Sequence, residues 1–475
     1  MGWYLGYIIV YFLIMFGIGF YYFLKVKNAD DYLIGGWSMG FWPIVGTVIS
    51  TWCGASVFIG TVGLGFQVGA SGYIRFSLAS VIFTLILILA FGRALRRQRL
   101  YTLADLFGQR FGVRAGIIPS LLSAVVYAIP TTAMQYLAMS TIWSACFGMD
   151  VGNALVLSAV LVLAFTVLGG LPGTIVTDAL QAVLIITGIV ILAVASVSLA
   201  GGMGPMLAAT PPEFLSPAGP YGAKEVALFF ISVGPFYLVW QSSWQRIFAA
   251  KSEKVSLNAN TLGVLICCGV FVCPILIGLA ARQFLPPDIN PDLIFSTVTR
   301  DLLPPYVGGL IYCALLAALV TGADSFILQG SSNLTHDFYR QLINPKADNR
   351  RLMLVSRLTV ALVALAALWV AFNFTGIIAI YQWALRLTAT TIVLPFLATM
   401  LWRGLTRAGV MAGMLGGLVS TVAWPYLGLD FDQTLFGFLF SALGVFGVSL
   451  VTRHHPEEHV AAVLWDDLPT ATMRR

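Results

Sequence analysis

The chain has 475 residues, of which 59% are apolar and only 10% are charged, and its mean hydropathy is +0.90. A soluble domain carries about 25% charged residues, so this composition excludes a water-covered surface and places the chain in lipid. Only helices and closed barrels satisfy their backbone polar groups in lipid. The apolar runs last about 20 residues without strand-like alternation, so they predict membrane-spanning helices.

Thirteen such spans are predicted, and they form a single transmembrane domain over residues 1–453, followed by a short cytoplasmic tail at 454–475. We find no cluster of His, Cys and carboxylate residues inside the spans and no GxSxG motif, so the sequence predicts no enzyme and no cofactor. The predicted spans are about 3–24, 41–66, 70–92, 115–146, 152–169, 173–199, 225–246, 256–281, 304–333, 352–373, 376–401, 408–427 and 432–452.

Positive charge is concentrated at alternate ends of the spans. With the N-terminus placed outside, only Lys224, Arg282 and Arg300 of the 26 Lys and Arg residues fall in outer loops, and Arg75 and Arg386 lie deep within spans. The other 21 are counted in cytoplasmic segments, including Arg246 and Arg357 near the cytoplasmic ends of their spans. Because cytoplasmic loops collect Lys and Arg, we expect an outside N-terminus and a cytoplasmic C-terminus in the cytoplasmic (inner or plasma) membrane. This bias also explains the net charge of +6 without a nucleic-acid partner.

The second span contains glycine and small polar residues near its middle, in the run Ser50-Thr51-Trp52-Cys53-Gly54-Ala55-Ser56. A break there would free backbone carbonyls for a cation, whereas the alternative is close packing of small residues against a neighbour. Span 7, five spans later, has Gly234-Pro235 near its middle, and a proline interrupts a helix. Interruptions at matching places predict two inverted repeats, at about 41–199 and 225–401.

The third and fourth spans contribute candidate solute contacts. Arg75 lies near the outer end of span 3, where it can also extend to the interface. Gln135 belongs to a polar patch in span 4. We expect Trp52 and Trp240 to complete the solute site.

Asp178 and Asp324 are the two acidic residues that the predicted spans contain. Thr321, Asp324 and Ser325 share one face of span 9 because they are three and four residues apart. Their oxygens suit an alkali cation or a proton, since buried charge in a membrane indicates function. The alternative is that the hydroxyls bond back to carbonyls one turn away.

Span 11 carries Gln382 and Arg386 on one face. A guanidinium fork suits a carboxylate, so these residues predict contact with a carboxylate-bearing solute. The alternative is a structural pair between Arg386 and Asp324 or Asp178.

Six segments in chain order resemble the sodium:solute symporter family, which includes proline, sugar, sialic acid and pantothenate symporters. These six segments are Asp30-Asp31-Tyr32, Cys53 to Gly60, Tyr101 to Phe107, Gly169-Gly170-Leu171-Pro172-Gly173 with Thr177-Asp178, Gln245 to Ser252, and Ala317 to Ser325. The resemblance implies an all-α, leucine-transporter-like fold of five plus five inverted-repeat helices that works by alternating access.

The resemblance also implies an ion site. Carried over to this sequence, the Na⁺ ligands are the carbonyls of Ser50, Cys53 and Ala318 and the hydroxyl of Thr321. Asp178, with Asp324 and Ser325, is expected on the exit route of the ion or in a second site. Two departures matter: Gly322 stands where the family has a second hydroxyl, and Trp52 replaces a small polar residue, which disfavours a sugar.

The sequence therefore predicts Na⁺-coupled symport of a small, carboxylate-bearing solute that faces Arg386 and Gln382. Gly322 and Asp324 keep H⁺ coupling as the alternative, and a non-transporting membrane sensor is the third hypothesis. The expected partners are Na⁺, the solute and membrane lipid, and the oligomeric state is left open.

Overall fold

The computed structural model describes residues 2–374, 377–428, 430–455, 459–460 and 462–466, with only the backbone given for 377–380. Its regular elements over these ranges are helices. Those that are long and apolar enough to cross a membrane, with one bent pair, are labelled here in chain order. They are α1 (Gly2–Lys25), α2 (Phe41–Trp52 with Ser56–Val68), α3 (Ala70–Arg97), α4 (Val113–Phe147), α5 (Val151–Leu199), α6 (Ala223–Ala249), α7 (Glu253–Ala281), α8 (Pro305–Ile343), α9 (Asn349–Asn373), α10 (Ile377–Leu401), α11 (Arg407–Tyr426) and α12 (Gln433–Val451).

The predicted number of thirteen spans differs from these twelve at α5. The predicted spans 152–169 and 173–199 lie in one stretch of 49 residues, which departs from helical geometry at Gly170 (φ 54°, ψ −167°). A straight helix of that length would measure about 74 Å, and the hydrocarbon core is only about 30 Å thick. A turn at Gly170 would divide α5 into two crossings, so the number thirteen stays a prediction.

Glycine is required at this turn for two reasons. Its positive φ is unfavourable for any residue with a Cβ, and a Cβ there would lie 2.6 Å from the ring of Tyr32. Tyr32 belongs to the short helix Ala29–Ile34, whose first residues are capped by the side chain of Asn28. This contact fixes α5 against the segment that precedes α2.

Helix α8 is the centre of the bundle, and every residue from Ile311 to Ser332 is buried. It packs against α1, α4, α5 and α9. Small residues allow the close approach, since a side chain at Gly188 of α5 would collide with Ala314 of α8. By contrast, α1, α9 and α12 expose large apolar side chains such as Leu13, Leu362 and Leu443, as expected of helices that face lipid.

Two helices are interrupted where the sequence predicts it. Helix α2 bends by 55° between Trp52 and Ser56. Helix α6 consists of Ala223–Val233, a 3₁₀ turn at Gly234–Leu238 and Gln241–Ala249. The repeat boundaries themselves stay predictions.

Part of the predicted tail packs against the bundle. Ala462 and Val463 are buried, and the backbone N–H of Val463 donates to the Thr399 carbonyl at 3.3 Å. Arg403 Nη2 contacts Asp466 Oδ1 at 2.6 Å. Residues 456–458, 461 and 467–475 of the predicted tail lie outside the described residues.

Candidate ion and solute site

The break in α2 is formed by Cys53, Gly54 and Ala55. The backbone of Cys53 (φ −89°, ψ 42°) leaves the helix, and its N–H donates to the carbonyls of Ile49 and Ser50, both at 3.2 Å. The second half of α2 starts when Val57 N–H and Phe58 N–H donate to the Gly54 carbonyl at 3.0 and 3.1 Å. The predicted break is confirmed, and it directs the carbonyl end of the first half towards the centre of the protein.

Thr321 of α8 lies directly opposite this break. Its hydroxyl is 3.1 Å from the Ser50 carbonyl oxygen and 3.0 Å from the Ala318 carbonyl oxygen. Three of the four predicted Na⁺ ligands therefore meet in one place, and the fourth, Cys53, ends the first half of α2. The bond to Ala318 is the backbone contact expected of a helical threonine, but the bond to Ser50 joins two helices.

A charged cluster lies one turn further along α8. Asp178 Oδ2 accepts a hydrogen bond from the Thr47 hydroxyl at 2.5 Å and is 3.6 Å from Arg246 Nη2. Asp324 Oδ2 accepts from the Thr174 hydroxyl at 3.3 Å. The side chains of Asp178 and Asp324 are fully buried, and one oxygen of each, Oδ1, has no hydrogen-bond partner among the described residues.

Arg246 does not lie where the charge pattern predicts it. The pattern counts it in a cytoplasmic segment at the end of span 7, but its side chain is 1% exposed. Its Nη2 donates to the hydroxyls of Thr51 at 2.7 Å and Ser325 at 2.6 Å. The guanidinium thus fills the space beside Ser325, a predicted ion ligand. Two buried acids without a buried base in the same place were the signal that could have identified it, since buried charges are paired.

The sequence left open a structural pair between Arg386 and Asp178 or Asp324. For Asp178, the structure shows contact with a different arginine. Arg246 makes that contact. Arg386 is half-buried, and its Nε has no hydrogen-bond partner among the described residues.

A small cavity of about 30 Å³ lies beside the break, with room for about two water molecules. Trp52 forms one wall, with its ring centroid 5.6 Å from those of Tyr237 and Trp240 and 6.0 Å from that of Phe271. None of the described residues that line the cavity is charged. They include Thr51, Trp52, Gly54, Ser56, Tyr127, Gln135, Tyr237, Trp240, Phe271 and Tyr381.

The predicted solute-binding residues divide into two groups. Trp52, Gln135 and Trp240 line this cavity, whereas Arg75, Gln382 and Arg386 are not among its lining residues. The Arg75 guanidinium lies over the Phe229 ring, 4.6 Å from its centroid. Gln382 is exposed.

A polar contact between the broken helix α2 and the central helix α8, next to an uncharged cavity, is an arrangement suited to transport. The sequence profile of the sodium:solute symporter family matches residues 32–417. This chain belongs to the sodium:solute symporter family. It is a sodium-coupled symporter of a small solute and not an enzyme.

Relatives and solved structures agree with this assignment. A sodium/proline symporter of Staphylococcus aureus is 27% identical over 446 residues, covering 88% of this chain and 84% of the relative. The one from Staphylococcus aureus strain JH9 is 28% identical over 447 residues, covering 88% and 85%.

A Na⁺-coupled sialic acid symporter, solved in a substrate-bound outward-open state, superposes with a TM-score of 0.85 at 18% identity, covering 95% of this chain and 98% of that one. Mhp1, a nucleobase-cation-symport-1 family transporter solved in a closed conformation with bromovinylhydantoin bound, gives a TM-score of 0.63 at 14% identity, covering 91% and 96%. At these identities the likeness concerns the fold, and the predicted leucine-transporter-like class is confirmed.

Proposed function

We propose that the symporter binds its coupling Na⁺ between the carbonyls of Ser50, Cys53 and Ala318 and the hydroxyl of Thr321. The contact of the Thr321 hydroxyl with both the Ser50 and the Ala318 carbonyl carries this proposal. Rotating the hydroxyl hydrogen away would leave several neutral oxygens facing one point. Neutral and anionic oxygens are the ligands that hard cations prefer.

An ion in this position would couple to the solute through the break in α2. The carbonyls of Ser50 and Cys53 end the first half of the helix, and Thr51, Trp52 and Gly54 line the cavity beside them. A ligand shifts a conformational equilibrium only if it binds one state better than the other. Na⁺ that bridges α2 and α8 would favour the state with a formed solute cavity, and its inward passage through 100 mV releases about 2.3 kcal/mol.

The solute is proposed to be a small, carboxylate-bearing molecule with an apolar body, of which proline is an example. Several relatives are named sodium/proline symporters. The aromatic lining of the cavity suits an apolar ring better than a polyhydroxylated sugar, and the cavity would have to widen from about 30 Å³ in another state of the cycle to admit the solute. The carboxylate would point to the amino end of the second half of α2, where helix N–H groups favour an anion. Arg75, Gln382 and Arg386 remain candidates for contact in another state of the transport cycle.

The test is the melting temperature of the purified protein with a panel of amino acids, organic acids and sugars, each with and without Na⁺. We expect the largest stabilisation with a small amino or organic acid, and only when Na⁺ is present. Uptake of that solute into proteoliposomes should need a Na⁺ gradient. The variant Arg386→Ala, measured in the same way, tests whether the guanidinium of Arg386 contributes to binding of the solute. Stabilisation by a sugar alone, or by a solute equally well without Na⁺, would contradict the proposal.

A proton is the second candidate for the coupling ion. The observation that favours it is the buried cluster, where Arg246 lies 3.6 Å from Asp178 and donates to the Ser325 hydroxyl next to the equally buried Asp324. Uptake driven equally well by a pH gradient in Na⁺-free buffer would support the proton. A Na⁺ requirement at every pH would exclude it.

The proposed orientation keeps the N-terminus outside and the C-terminus in the cytoplasm of the cell membrane. The uneven distribution of Lys and Arg supports it. A protease added to intact cells should remove an epitope fused before Gly2 but leave one fused after the tail. The opposite result would reverse the topology.

A further inference from the structure

The side chain of Gln135, on α4, is wedged between glycines of two other helices. A Cβ on Gly54, at the break in α2, would lie 3.2 Å from Gln135 Nε2, and a Cβ on Gly322 of α8 would lie 3.1 Å from Gln135 Cδ. Gln135 is 1% exposed, and its Oε1 accepts a hydrogen bond from Ala55 N–H at 3.1 Å. A Cβ at either glycine would require the carboxamide to shift by a few tenths of an ångström.

Gly322 directly follows Thr321 in α8, and it offers no side-chain oxygen to the proposed ion site. Gln135 Oε1 lies only 3.3 Å from the point where a Cβ of residue 322 would be. The oxygen that α8 lacks at this position is thus supplied from a neighbouring helix. Gln135 also lines the solute cavity, so one carboxamide borders both sites.

We propose that Gln135 couples the two sites, with its carboxamide oxygen as a further ligand of the Na⁺ that Thr321 holds. The proposal rests on the proposed ion site. A carbonyl oxygen has two lone pairs, so Oε1 can accept from Ala55 N–H and face a cation at the same time. An ion that holds this oxygen also fixes the wall of the solute cavity, and its departure releases both the wall and the break in α2.

The experiment measures the Na⁺ concentration that gives half of the maximal thermal stabilisation of the full-length protein without solute. Gln135→Leu removes the oxygen and nearly keeps the volume, and we expect it to raise this concentration about tenfold, the effect of losing about one hydrogen-bond-sized interaction. Gly322→Ser alone should also weaken Na⁺, because the new side chain collides with Gln135.

The double variant Gln135→Ala with Gly322→Ser is the decisive one. It removes the collision and returns an oxygen to the wall of the ion site. We expect the Na⁺ concentration for half-maximal stabilisation of the double variant to return to within about threefold of the wild-type value. The solute concentration that gives half-maximal uptake by this double variant should be higher than in the wild type, because the cavity has lost its carboxamide.

The matched control is Ser140→Ala, on the same helix, whose hydroxyl donates to its own helix at the Leu137 carbonyl. It should leave Na⁺ binding unchanged. If Thr321→Val weakens Na⁺ but Gln135→Leu does not, the role of Gln135 is overturned while the ion site stands. If Thr321→Val has no effect either, the ion site itself is refuted. If Gln135→Leu weakens Na⁺ but the double variant recovers nothing, the carboxamide only braces the break, and its role as a ligand is overturned.

Discussion

Two polar regions lie one helical turn apart on α8, and they are built from different chemistry. Around Thr321 the groups are neutral, a hydroxyl with the carbonyls of Ser50 and Ala318. Around Asp324 and Ser325 the groups are ionisable, and Arg246 donates to the Ser325 hydroxyl. Both regions join α8 to α2, yet only the second includes a positive charge of its own.

This difference indicates different roles. Neutral oxygens that converge without a cation can accept one from solution, and they release it without leaving a buried net charge behind. The second region already contains a guanidinium, which offsets one of its two carboxylates and occupies the space beside Ser325. We therefore expect the first region to determine Na⁺ affinity and the second to determine whether the bundle holds together around it.

The largest expected effect is that of Arg246→Leu. Removing one partner of a buried ion pair leaves an uncompensated buried charge and costs about 3–5 kcal/mol. The variant should be poorly expressed or melt far below the wild type. Replacing Asp178 by Leu in the same protein should recover much of that loss, as a melting curve of the double variant would measure. A single variant as stable as the wild type would contradict the structural role of the second region.

Thr321→Val should act in the opposite way, with a small effect on stability and a large effect on the ion. Valine keeps the shape but removes the hydroxyl, so the unfolding free energy should fall by about 1 kcal/mol. The Na⁺ concentration for half-maximal uptake should rise about tenfold or more. Thr321→Ser, which keeps the oxygen, is the matched control. An unchanged Na⁺ dependence in the valine variant would remove the first region from ion binding.

A smaller effect is expected from Asp324→Asn. The carboxamide keeps an acceptor for the Thr174 hydroxyl but removes the charge. If the neutral region around Thr321 alone binds Na⁺, the Na⁺ concentration for half-maximal uptake should change by no more than about threefold. A shift as large as that of Thr321→Val would make Asp324 a ligand, as the sequence first suggested. Uptake should be measured at several pH values, because loss of a pH response would indicate that this carboxyl binds a proton.

The sequence predicted the break in α2 and the opposing residue Thr321 better than it predicted which residues surround them. Glycine and small residues at Cys53 to Ala55 indicated the break, and hydroxyl spacing indicated Thr321. The same spacing grouped Thr321 with Asp324 and Ser325, although the structure assigns them to different regions. A shared helix face does not fix which neighbour each residue meets, because that depends on how other helices pack.

Arg246 shows a further limit of sequence patterns. It lies beyond the Gly234-Pro235 interruption, where the apolar window of the span ends, so its polar segment resembles a loop although tertiary packing buries it. At Gly170, by contrast, the predicted spans 152–169 and 173–199 already leave a gap, and the backbone departs from helical geometry within that gap. Gly322 was interpreted as a lost ligand, whereas the structure provides a physical reason for glycine there, namely space for Gln135.

The smallest effect is expected from Arg403→Ala, outside both regions. Arg403 donates to Asp466, and this hydrogen bond, together with the N–H of Ala462, lowers the pKa of the Asp466 carboxyl from its ordinary 3.8 to about 2. A lowered pKa stabilises the folded state only above the unfolded value, and that contribution is lost as the pH falls from about 4 to 2. Arg403 is exposed and Asp466 is partly exposed to solvent, where an ion pair contributes little. The melting temperature and the uptake of the variant should therefore match those of the wild type from about pH 5 to 9. Any pH dependence of transport in that range must then come from groups other than this pair. The buried carboxylates beside Arg246 are the first candidates. A variant whose uptake changes with pH differently from the wild type would instead give the docked tail a part in transport.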